Sequence, residues 1–253
     1  MTKIPKHRKT RMAETADSPE EELTKERYIE GLFASIAPRY DFLNSIISLN
    51  RHKAWRRFAV GLAQLTPGSA ALDVAAGTGD FAIELTRAVG PNGKVTAIDF
   101  CEPMVEIGRR KTSGLQPKVD WVTGSAMSLP FDSNTFDCAV IGFALRNVAD
   151  VPRAVAEMTR VVKPGGRVVS LELNRPTSAL VRPFWELYFC RLVPTVARAF
   201  GGGKEPYSYL PMSVKRFYSR QELVDIMIHS GLSDVRFYDL TMGVVCAHVG
   251  VKP

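Results

Sequence analysis

The amino-acid sequence predicts an α/β protein with a doubly wound, mostly parallel sheet of seven strands. Three observations lead to this fold class. Short apolar runs alternate with amphipathic helical stretches between residues 70 and 173, and such alternation indicates parallel strands joined by crossover helices. A glycine-rich loop follows the first run. The last two runs are separated only by Thr241-Met242-Gly243, which suits an antiparallel hairpin at the C-terminal end.

The elements follow in order along the chain. Gly90-Pro91-Asn92-Gly93 ends the first helix after the glycine loop, and Met104 lies in the next one. Further helices are expected at 152–162 and 220–230. The predicted strands are Ala70–Val74, Lys94–Asp99, Val119–Val122, Thr135–Phe143, Arg167–Leu173, Val235–Leu240 and Val244–Val251.

The strands and helices form a single predicted domain, residues 24–253, with a helical lead at 24–66 and an insertion at 174–218. Residues 1–23 are charged and almost free of apolar side chains, so we expect a disordered tail. No run of about 18 apolar residues occurs, which argues against a membrane-spanning helix. Four scattered cysteines form no paired motif, so we expect a reducing compartment and neither a disulfide framework nor a metal site.

The formal charge of +7 is unevenly placed. Residues 1–13 carry five basic side chains and no acid, but no aromatic residue is interleaved with them, so nucleic-acid binding is not expected. Two further basic segments, 51–57 and 175–220, also contain large apolar residues. Such segments suit either a solvated helix face or contact with a membrane surface.

The glycine loop carries the first chemical signal. Gly77 and Gly79 allow the backbone to approach a ligand closely, and Asp99 lies 20 residues after Gly79 at the end of the next predicted strand. An acid at that place accepts hydrogen bonds from ribose hydroxyls. A dinucleotide motif would have a third glycine where Ala82 stands, and Asp73 would repel a pyrophosphate. These residues favour a different nucleoside cofactor while leaving a nicotinamide one open.

Longer motifs add a family resemblance. Leu72–Gly79, Asp99 and Gly124–Phe131 resemble the successive motifs of class I S-adenosylmethionine-dependent methyltransferases. Other segments resemble signatures of the ubiquinone/menaquinone biosynthesis C-methyltransferase family, which includes the demethylmenaquinone methyltransferases, and the resemblance covers about residues 27–252. These segments are Tyr40–Asn44 with Ser48, His52 and Trp55; Phe143–Val148; Arg160–Gly166 through Glu172; Tyr209–Ser213; and Leu240–Gly243 through His248. Gly142 departs from the family, which often has a serine there.

The resemblance implies a Rossmann-like domain that binds S-adenosylmethionine without a metal. Asp73 and the backbone of Gly77 and Gly79 would meet its aminoacyl end, where Thr78 adds a hydroxyl. The remaining implied contacts are Asp99 to the ribose, Met104 to the adenine face, and Ser125 and Ala126 to the adenine edge. Plain core packing for Met104 and a turn role for Ser125 are the alternatives.

The implied reaction is C-methylation of a polyprenyl quinol ring, demethylmenaquinol to menaquinol, with a ubiquinone precursor as a further acceptor. Asp80 would orient water or take a proton, and Arg146 and Asn147 would bind the developing oxyanion. Alternatively, Asp80 caps a helix and Arg146 pairs with an acid. Tyr40 and His52 are further substrate candidates, although His52 also suits packing or capping.

The insertion carries a helical apolar stripe that includes Trp185 and Tyr188, interrupted by Arg182, Arg191 and Arg198. It would roof a prenyl pocket, lie on an anionic membrane, or pack on the core. The resemblance favours a cytoplasmic enzyme, peripheral at the inner face of the cytoplasmic membrane, and a homodimer is a further expectation.

Three alternatives remain. They are a nicotinamide-dependent oxidoreductase, disfavoured by Asp73 and by the lack of a Tyr-x-x-x-Lys pair; a non-catalytic membrane-binding or protein-binding module; and a methyltransferase for another lipid or aromatic acceptor.

Overall fold

The computed structural model describes residues 18–199 and 205–253. In this part of the chain one sheet is formed by β1 (Ala70–Val74), β2 (Lys94–Asp99), β3 (Val119–Thr123), β4 (Phe136–Gly142), β5 (Val162–Leu173), β6 (Ser233–Leu240) and β7 (Val245–Val251). Their order is β3-β2-β1-β4-β5-β7-β6. Strands β1 to β5 run parallel, and β7 is antiparallel between β5 and β6. The predicted fold class and C-terminal hairpin are confirmed.

The helices are α1 (Pro19–Ile36), α2 (Tyr40–Ile47), α3 (Arg51–Leu62), α4 (Asp80–Val89), α5 (Glu102–Thr112), α6 (Val151–Val161), α7 (Arg182–Leu187), α8 (Val193–Ala199), α9 (Glu205–Arg216) and α10 (Arg220–His229). A π-helical turn, Tyr188–Leu192, joins α7 to α8. None of these helices is long and apolar enough to cross a membrane.

Helix α1 begins earlier than the sequence predicts. The Ser18 hydroxyl accepts a hydrogen bond from the Glu21 backbone N–H, and the Glu21 carboxylate accepts one from the Ser18 N–H. This capping box satisfies donors that a helix start leaves free. The helical lead therefore starts at Pro19 rather than at residue 24. The remainder of the predicted tail, residues 1–17, lies outside the described residues.

The sheet is covered on both faces. Along β4, Val140 packs with the core under α3 and α4, whereas Ile141 packs with the core under α6 and α10, because successive side chains of a strand point to opposite faces. Strand β5 begins at Val162, before the predicted Arg167. Its pairing with β4 shifts register there, so Lys163-Pro164-Gly165-Gly166 is accommodated as an irregularity within the strand.

The strand order reverses between β1 and β4, which leaves a crevice at their carboxyl ends. Outside the sheet, α1 packs against α5 and α9, and α2 packs against α8. The helical lead and the insertion thereby form one cover, and they enclose the space beside the crevice.

Candidate active site

A first cavity lies at the crevice, and we call it the cofactor cavity. Loops that are distant in sequence meet here because the carboxyl ends of parallel strands share one edge of the sheet. Several predicted cofactor residues line it together: Gly77, Asp99, Met104, Ser125 and Ala126.

Asp99 is the buried carboxylate of this cavity. Its Oδ2 accepts a hydrogen bond from the Gly77 backbone N–H at 2.7 Å, and its Oδ1 accepts one from the Cys101 N–H at 2.9 Å. Burial raises the pKa of Asp99, and these backbone bonds oppose the increase. Each carboxylate oxygen has a second lone pair. The group is therefore held in place and able to accept the hydroxyls of a ribose.

Helix α1 contributes a residue that the sequence analysis missed. The Ser125 hydroxyl donates to Glu26 Oε1 at 2.7 Å, and Glu26 also lines the cavity. Met104 packs against Ala37 and Cys101 and lines the cavity as well, so it has a packing role and its contact with the adenine face stays a prediction. A Cβ added at Gly77, whose φ is +55°, would meet nothing within 4 Å. The loop thus borders open space, and this partly enclosed cavity, with the carboxylates of Asp99 and Glu26 and the Ser125 hydroxyl in its wall, fits the nucleoside of S-adenosylmethionine.

The other three predicted cofactor residues shape the loop from outside the cavity lining. Asp73 Oδ2 accepts the backbone N–H of Ala82 at 2.8 Å, and burial raises the pKa of Asp73 well above its ordinary value. The Thr78 hydroxyl donates to Asp41 Oδ1 at 2.5 Å. Gly79, with φ +81°, starts α4. The bonds of Asp73 and Thr78 fix the loop to α4 and α2, and the cofactor contacts expected of these residues stay a prediction.

Two residues that follow strands adopt a left-handed conformation although they are not glycine. Ala75 follows β1 with φ +51°, and Phe143 follows β4 with φ +59°. Such strain is tolerated mainly at functional sites, and both residues line the cofactor cavity. The departure at Gly142 has a packing cause, because an added Cβ would lie 2.1 Å from Cε2 of Phe81.

A second cavity of about 340 Å³ lies under α1, α2, α3, α7 and α9, and we call it the acceptor cavity. The predicted catalytic residues Arg146 and Asn147 line it. So do all the predicted substrate residues, Tyr40, His52, Trp185 and Tyr188. Its wall is largely aromatic: Phe33, Tyr40, Trp55, Phe143, Phe184, Trp185, Tyr188, Phe189, Tyr207 and Tyr209.

The two cavities meet. Phe33, Tyr40, Phe143 and Asn147 line both of them. Two ligands, one bound in each cavity, would therefore lie next to each other at these side chains.

Arg146 and Asn147 lie in a single turn, Leu145–Asn147, directly after β4. The Arg146 guanidinium donates to Glu172 Oε1 at 2.5 Å and to the Phe143 carbonyl oxygen. Burial raises the pKa of Glu172, and the Arg146 charge opposes this. The acid partner considered for Arg146 is thus Glu172, whose role the sequence analysis missed, and the Arg146 side chain still faces the cavity. Asn147 Oδ1 is buried without a hydrogen-bond partner.

Asp80 lines neither cavity. Its carboxylate lies 2.5 Å from Lys111 Nζ, 3.2 Å from Arg56 Nη2 and 3.5 Å from His52 Nδ1. Burial raises the pKa of Asp80, but the hydrogen bond from His52 and the charges of Arg56 and Lys111 outweigh it and hold this pKa well below the ordinary range. Such a carboxylate is a poor proton acceptor at neutral pH. The structure therefore gives Asp80 the task of holding His52 and Arg56 in the cavity wall.

Comparisons with known proteins identify relatives of this chain. Demethylmenaquinone methyltransferases of Bacillus cereus and Bacillus anthracis are 43% identical over 231 residues, covering 91% of this chain and 98% of theirs. A crystal structure of a SAM-dependent methyltransferase from Thermotoga maritima, described as a possible histamine N-methyltransferase, has a TM-score of 0.61 at 21% identity and covers 88% of this chain and 99% of its own. One from Aquifex aeolicus has a TM-score of 0.59 at 21% identity, covering 83% and 96%.

The structural neighbours establish the fold. The model of the ubiE/COQ5 methyltransferase family matches residues 21–252, nearly the whole described part of the chain. This match excludes the oxidoreductase and binding-module alternatives, and the chain is an enzyme that belongs to the ubiE/COQ5 methyltransferase family.

Proposed function

We propose that this methyltransferase transfers the methyl group of S-adenosylmethionine to a ring carbon of a polyprenyl quinol, converting demethylmenaquinol to menaquinol. The observation that carries the proposal is that the cofactor cavity, whose wall carries Asp99 and Ser125, adjoins the acceptor cavity and shares four lining residues with it. The names of the 43% identical relatives support the naphthoquinol ring. A ubiquinone precursor, which is also a prenylated ring with hydroxyl groups, is a further acceptor.

The cofactor would be held by side chains and backbone already in place. It supplies an electrophilic methyl group on a sulfonium cation. Asp99 accepts the ribose hydroxyls, Met104 covers one face of the adenine, and Ser125 and Ala126 lie at its edge. The open backbone at Gly77 borders the aminoacyl end. The protein mainly contributes alignment, because a methyl transfer requires the acceptor carbon in line with the breaking bond.

The acceptor carbon becomes nucleophilic when the neighbouring hydroxyl gives its proton to solvent at the open mouth of the cavity. After the methyl group is transferred, the same ring carbon loses its hydrogen to solvent as a proton and the ring oxygen regains one, which restores the aromatic quinol. The Arg146 guanidinium, fixed by Glu172, stabilises the oxyanion that forms. Asn147 Oδ1, buried and without a partner, accepts the hydrogen bond of the hydroxyl before ionisation. Since Asn147 lines both cavities, it places the activated side of the ring at the boundary with the cofactor. The aromatic wall excludes water from the oxyanion and strengthens its electrostatic stabilisation.

We further propose that the mouth of the acceptor cavity faces the inner surface of the cytoplasmic membrane. Leu49, Phe184 and Met242 line the cavity and are 74%, 75% and 71% exposed. With Leu180 and Leu187, which are 82% and 58% exposed, they form what we call the apolar rim. Basic side chains beside it suit anionic headgroups: Arg51, Arg182 and Arg191. Some residues of the predicted apolar stripe of the insertion, such as Trp185 and Tyr188, line the cavity, whereas the neighbouring Leu187 belongs to the apolar rim.

The decisive experiment incubates the purified protein with S-adenosylmethionine labelled in its methyl group and one acceptor at a time. Reduced demethylmenaquinone, a reduced ubiquinone precursor and phosphatidylethanolamine are compared, and labelled products are identified by mass spectrometry. We expect label on the naphthoquinol ring. Label on phosphatidylethanolamine alone would establish instead the alternative of another lipid acceptor.

The homodimer stays a prediction. Strand β6 is the open edge of the sheet on the side of the hairpin, and it carries exposed Phe237 and Tyr238. It is the surface along which we expect a second copy to pack, and light scattering measures the mass directly.

A further inference from the structure

Arg56 is a buried guanidinium that the reaction described above does not use. It lies on α3, one helical turn after His52, and is only 6% exposed. It lines the acceptor cavity but not the cofactor cavity. Its Nε has no hydrogen-bond partner. Leaving a buried donor of a charged group unsatisfied is costly, so an unpaired guanidinium nitrogen in a cavity wall points to an acceptor atom on a ligand.

The protein holds this guanidinium by its other atoms. Nη1 lies 2.6 Å from His52 Nδ1, and Nη2 lies 3.2 Å from Asp80 Oδ2. The Cζ atom lies over the rings of Phe81 and Phe143, 5.7 Å and 5.3 Å from their centroids. These contacts hold both terminal nitrogens and fix the plane of the group. A guanidinium has five N–H groups, so they leave Nε and one N–H of Nη2 available to a ligand.

The charge of Arg56 also reaches the junction of the two cavities. Tyr40 lines both, and its phenol is chemically close to a quinol hydroxyl. Burial raises the pKa of Tyr40, and the charges of Arg56 and Arg146 both act against this increase. The net result is a raised pKa, so this phenol stays protonated, but the two guanidiniums, each held by its own carboxylate, Asp80 or Glu172, lower the cost of ionising a hydroxyl group here.

We propose that Arg56 donates a hydrogen bond to the second ring oxygen of the quinol, the one meta to the carbon that is methylated. This inference rests on the proposed function. Asn147 lies at the junction and, with Arg146, takes the oxygen beside the reacting carbon. Arg56 lies on α3, a different element from the turn that carries Arg146 and Asn147, and takes the second oxygen of the ring. The site is consequently specific for rings with two opposed oxygens, and a monohydroxy ring of the same size is a poor substrate.

The test is a thermodynamic cycle in which two forms of the protein are each assayed with two acceptors. Wild type and Arg56→Met are each assayed with demethylmenaquinol and with a prenylated 1-naphthol that lacks the second oxygen. Loss of one hydrogen bond to a charged group lowers kcat/KM about ten- to hundredfold. We expect such a loss for wild type with the analogue and for Arg56→Met with the quinol. Combining variant and analogue lowers kcat/KM by less than about twofold further, because the same bond is already absent.

A merely structural role for Arg56 gives another pattern. In that case Arg56→Met slows both acceptors by the same factor, and this outcome overturns the inference. Arg57→Gln is the matched control, because Arg57 is exposed on the same helix, and its rates stay at the wild-type level. If Arg56→Met does not fold, Arg56→Lys keeps a charge beside Asp80 and enters the same cycle. Absence of methyl transfer from wild type to demethylmenaquinol would overturn the proposed function itself, which is a separate result.

Discussion

The cofactor cavity and the acceptor cavity differ in how the protein satisfies their polar groups. In the cofactor cavity Asp99 and Ser125 already have partners within the protein. In the acceptor cavity several side chains have polar atoms without a partner, and one of these side chains, Asn147, lines both cavities. Of the seven buried side-chain nitrogen and oxygen atoms without a hydrogen-bond partner in the described part of the chain, four belong to residues that line the acceptor cavity: Arg56, Arg146, Asn147 and Trp185.

This difference indicates where each ligand contributes energy. A cavity whose polar atoms are satisfied is a rigid template, so its ligand adds bonds to groups that are already oriented. A cavity with unsatisfied buried donors and acceptors carries a free-energy cost of about 1–3 kcal/mol for each group. A ligand with matching oxygens removes that cost. Substrate discrimination should therefore come mainly from the acceptor side, as it does when a site is built to bind substrate hydroxyls.

The largest effect is expected from a substitution in the cofactor cavity. Asp99→Ala eliminates the carboxylate that accepts the ribose hydroxyls, and we expect S-adenosylmethionine binding to fall below detection in calorimetry. Two hydrogen bonds to a charged group account for about a hundredfold or more. Asp120→Ala is the control, since Asp120 is exposed on the neighbouring strand. An unchanged affinity in Asp99→Ala would contradict the cofactor assignment.

The next largest effect distinguishes the role of the acceptor cavity in turnover from the role of the cofactor cavity in binding S-adenosylmethionine. Arg146→Ala removes the guanidinium that stabilises the oxyanion, and we expect kcat to fall about 10²- to 10³-fold. Its affinity for S-adenosylmethionine should equal that of wild type, because Arg146 does not line the cofactor cavity. Arg153→Ala, at a half-exposed position on α6, should leave both quantities unchanged. Wild-type turnover in Arg146→Ala would refute the proposed role.

A smaller effect tests the mouth of the acceptor cavity. Replacing Leu180 and Leu187 by serine removes two exposed members of the apolar rim that do not line the cavity. Each buried leucine contributes up to about 1.5–3 kcal/mol, so we expect binding to phosphatidylglycerol vesicles, measured by co-sedimentation, to weaken about tenfold or more. Ile228→Ser is the matched control, since Ile228 is 51% exposed on α10. Equal losses in both variants would exclude a specific membrane-facing rim.

The smallest effect on turnover is expected for a buried side chain outside both cavities that has a nitrogen without a hydrogen-bond partner. His248 in β7 is buried, its Nδ1 has no partner, and burial lowers its pKa to about 4. The unfolded chain binds this proton below about pH 6.5, whereas the folded one binds it only near pH 4, so the free energy of unfolding falls as pH drops between these values, by up to roughly 3 kcal/mol.

His248→Gln should flatten that dependence in denaturation at pH 7 and pH 5 while leaving kcat unchanged. An identical pH dependence in the variant would show that another group titrates. A loss of turnover at pH 7 would show that unpaired atoms far from the cavities also serve the reaction. Unpaired atoms in the acceptor cavity would then not be special to substrate binding.

Much of the cofactor side could be predicted because its signals are local. Gly77 and Asp99 stand at strand ends, and a parallel sheet brings strand ends to one edge regardless of the rest of the chain. For Asp73 and Thr78 the local pattern did not reveal their partners within the protein, the Ala82 N–H and Asp41. Whether a carboxylate beside a glycine loop faces a ligand or the start of α4 depends on how the helix packs, and Asp73 bonds to Ala82.

The acceptor side was harder to predict in detail. The sequence analysis predicted residues that line the acceptor cavity, namely Tyr40, Arg146, Asn147 and Trp185. It did not predict the residues to which they bond. Glu172 lies within a motif segment and gave no sign of pairing with Arg146. Arg56 had one available signal: it stands four residues after His52, on the same face of α3. Glu26 had none, since its contact with Ser125 joins residues that are far apart in the sequence.

The sequence by itself determined the alternating strands and helices, the glycine loop and the acid that follows it, because these depend on side-chain periodicity and on backbone requirements within a few residues. Only the tertiary structure decided which charges are paired, which polar atoms stay unsatisfied and where the two cavities join. Those properties depend on side chains from the helical lead, the strand ends and the insertion meeting in one buried place, where a missing partner costs far more than it does in water.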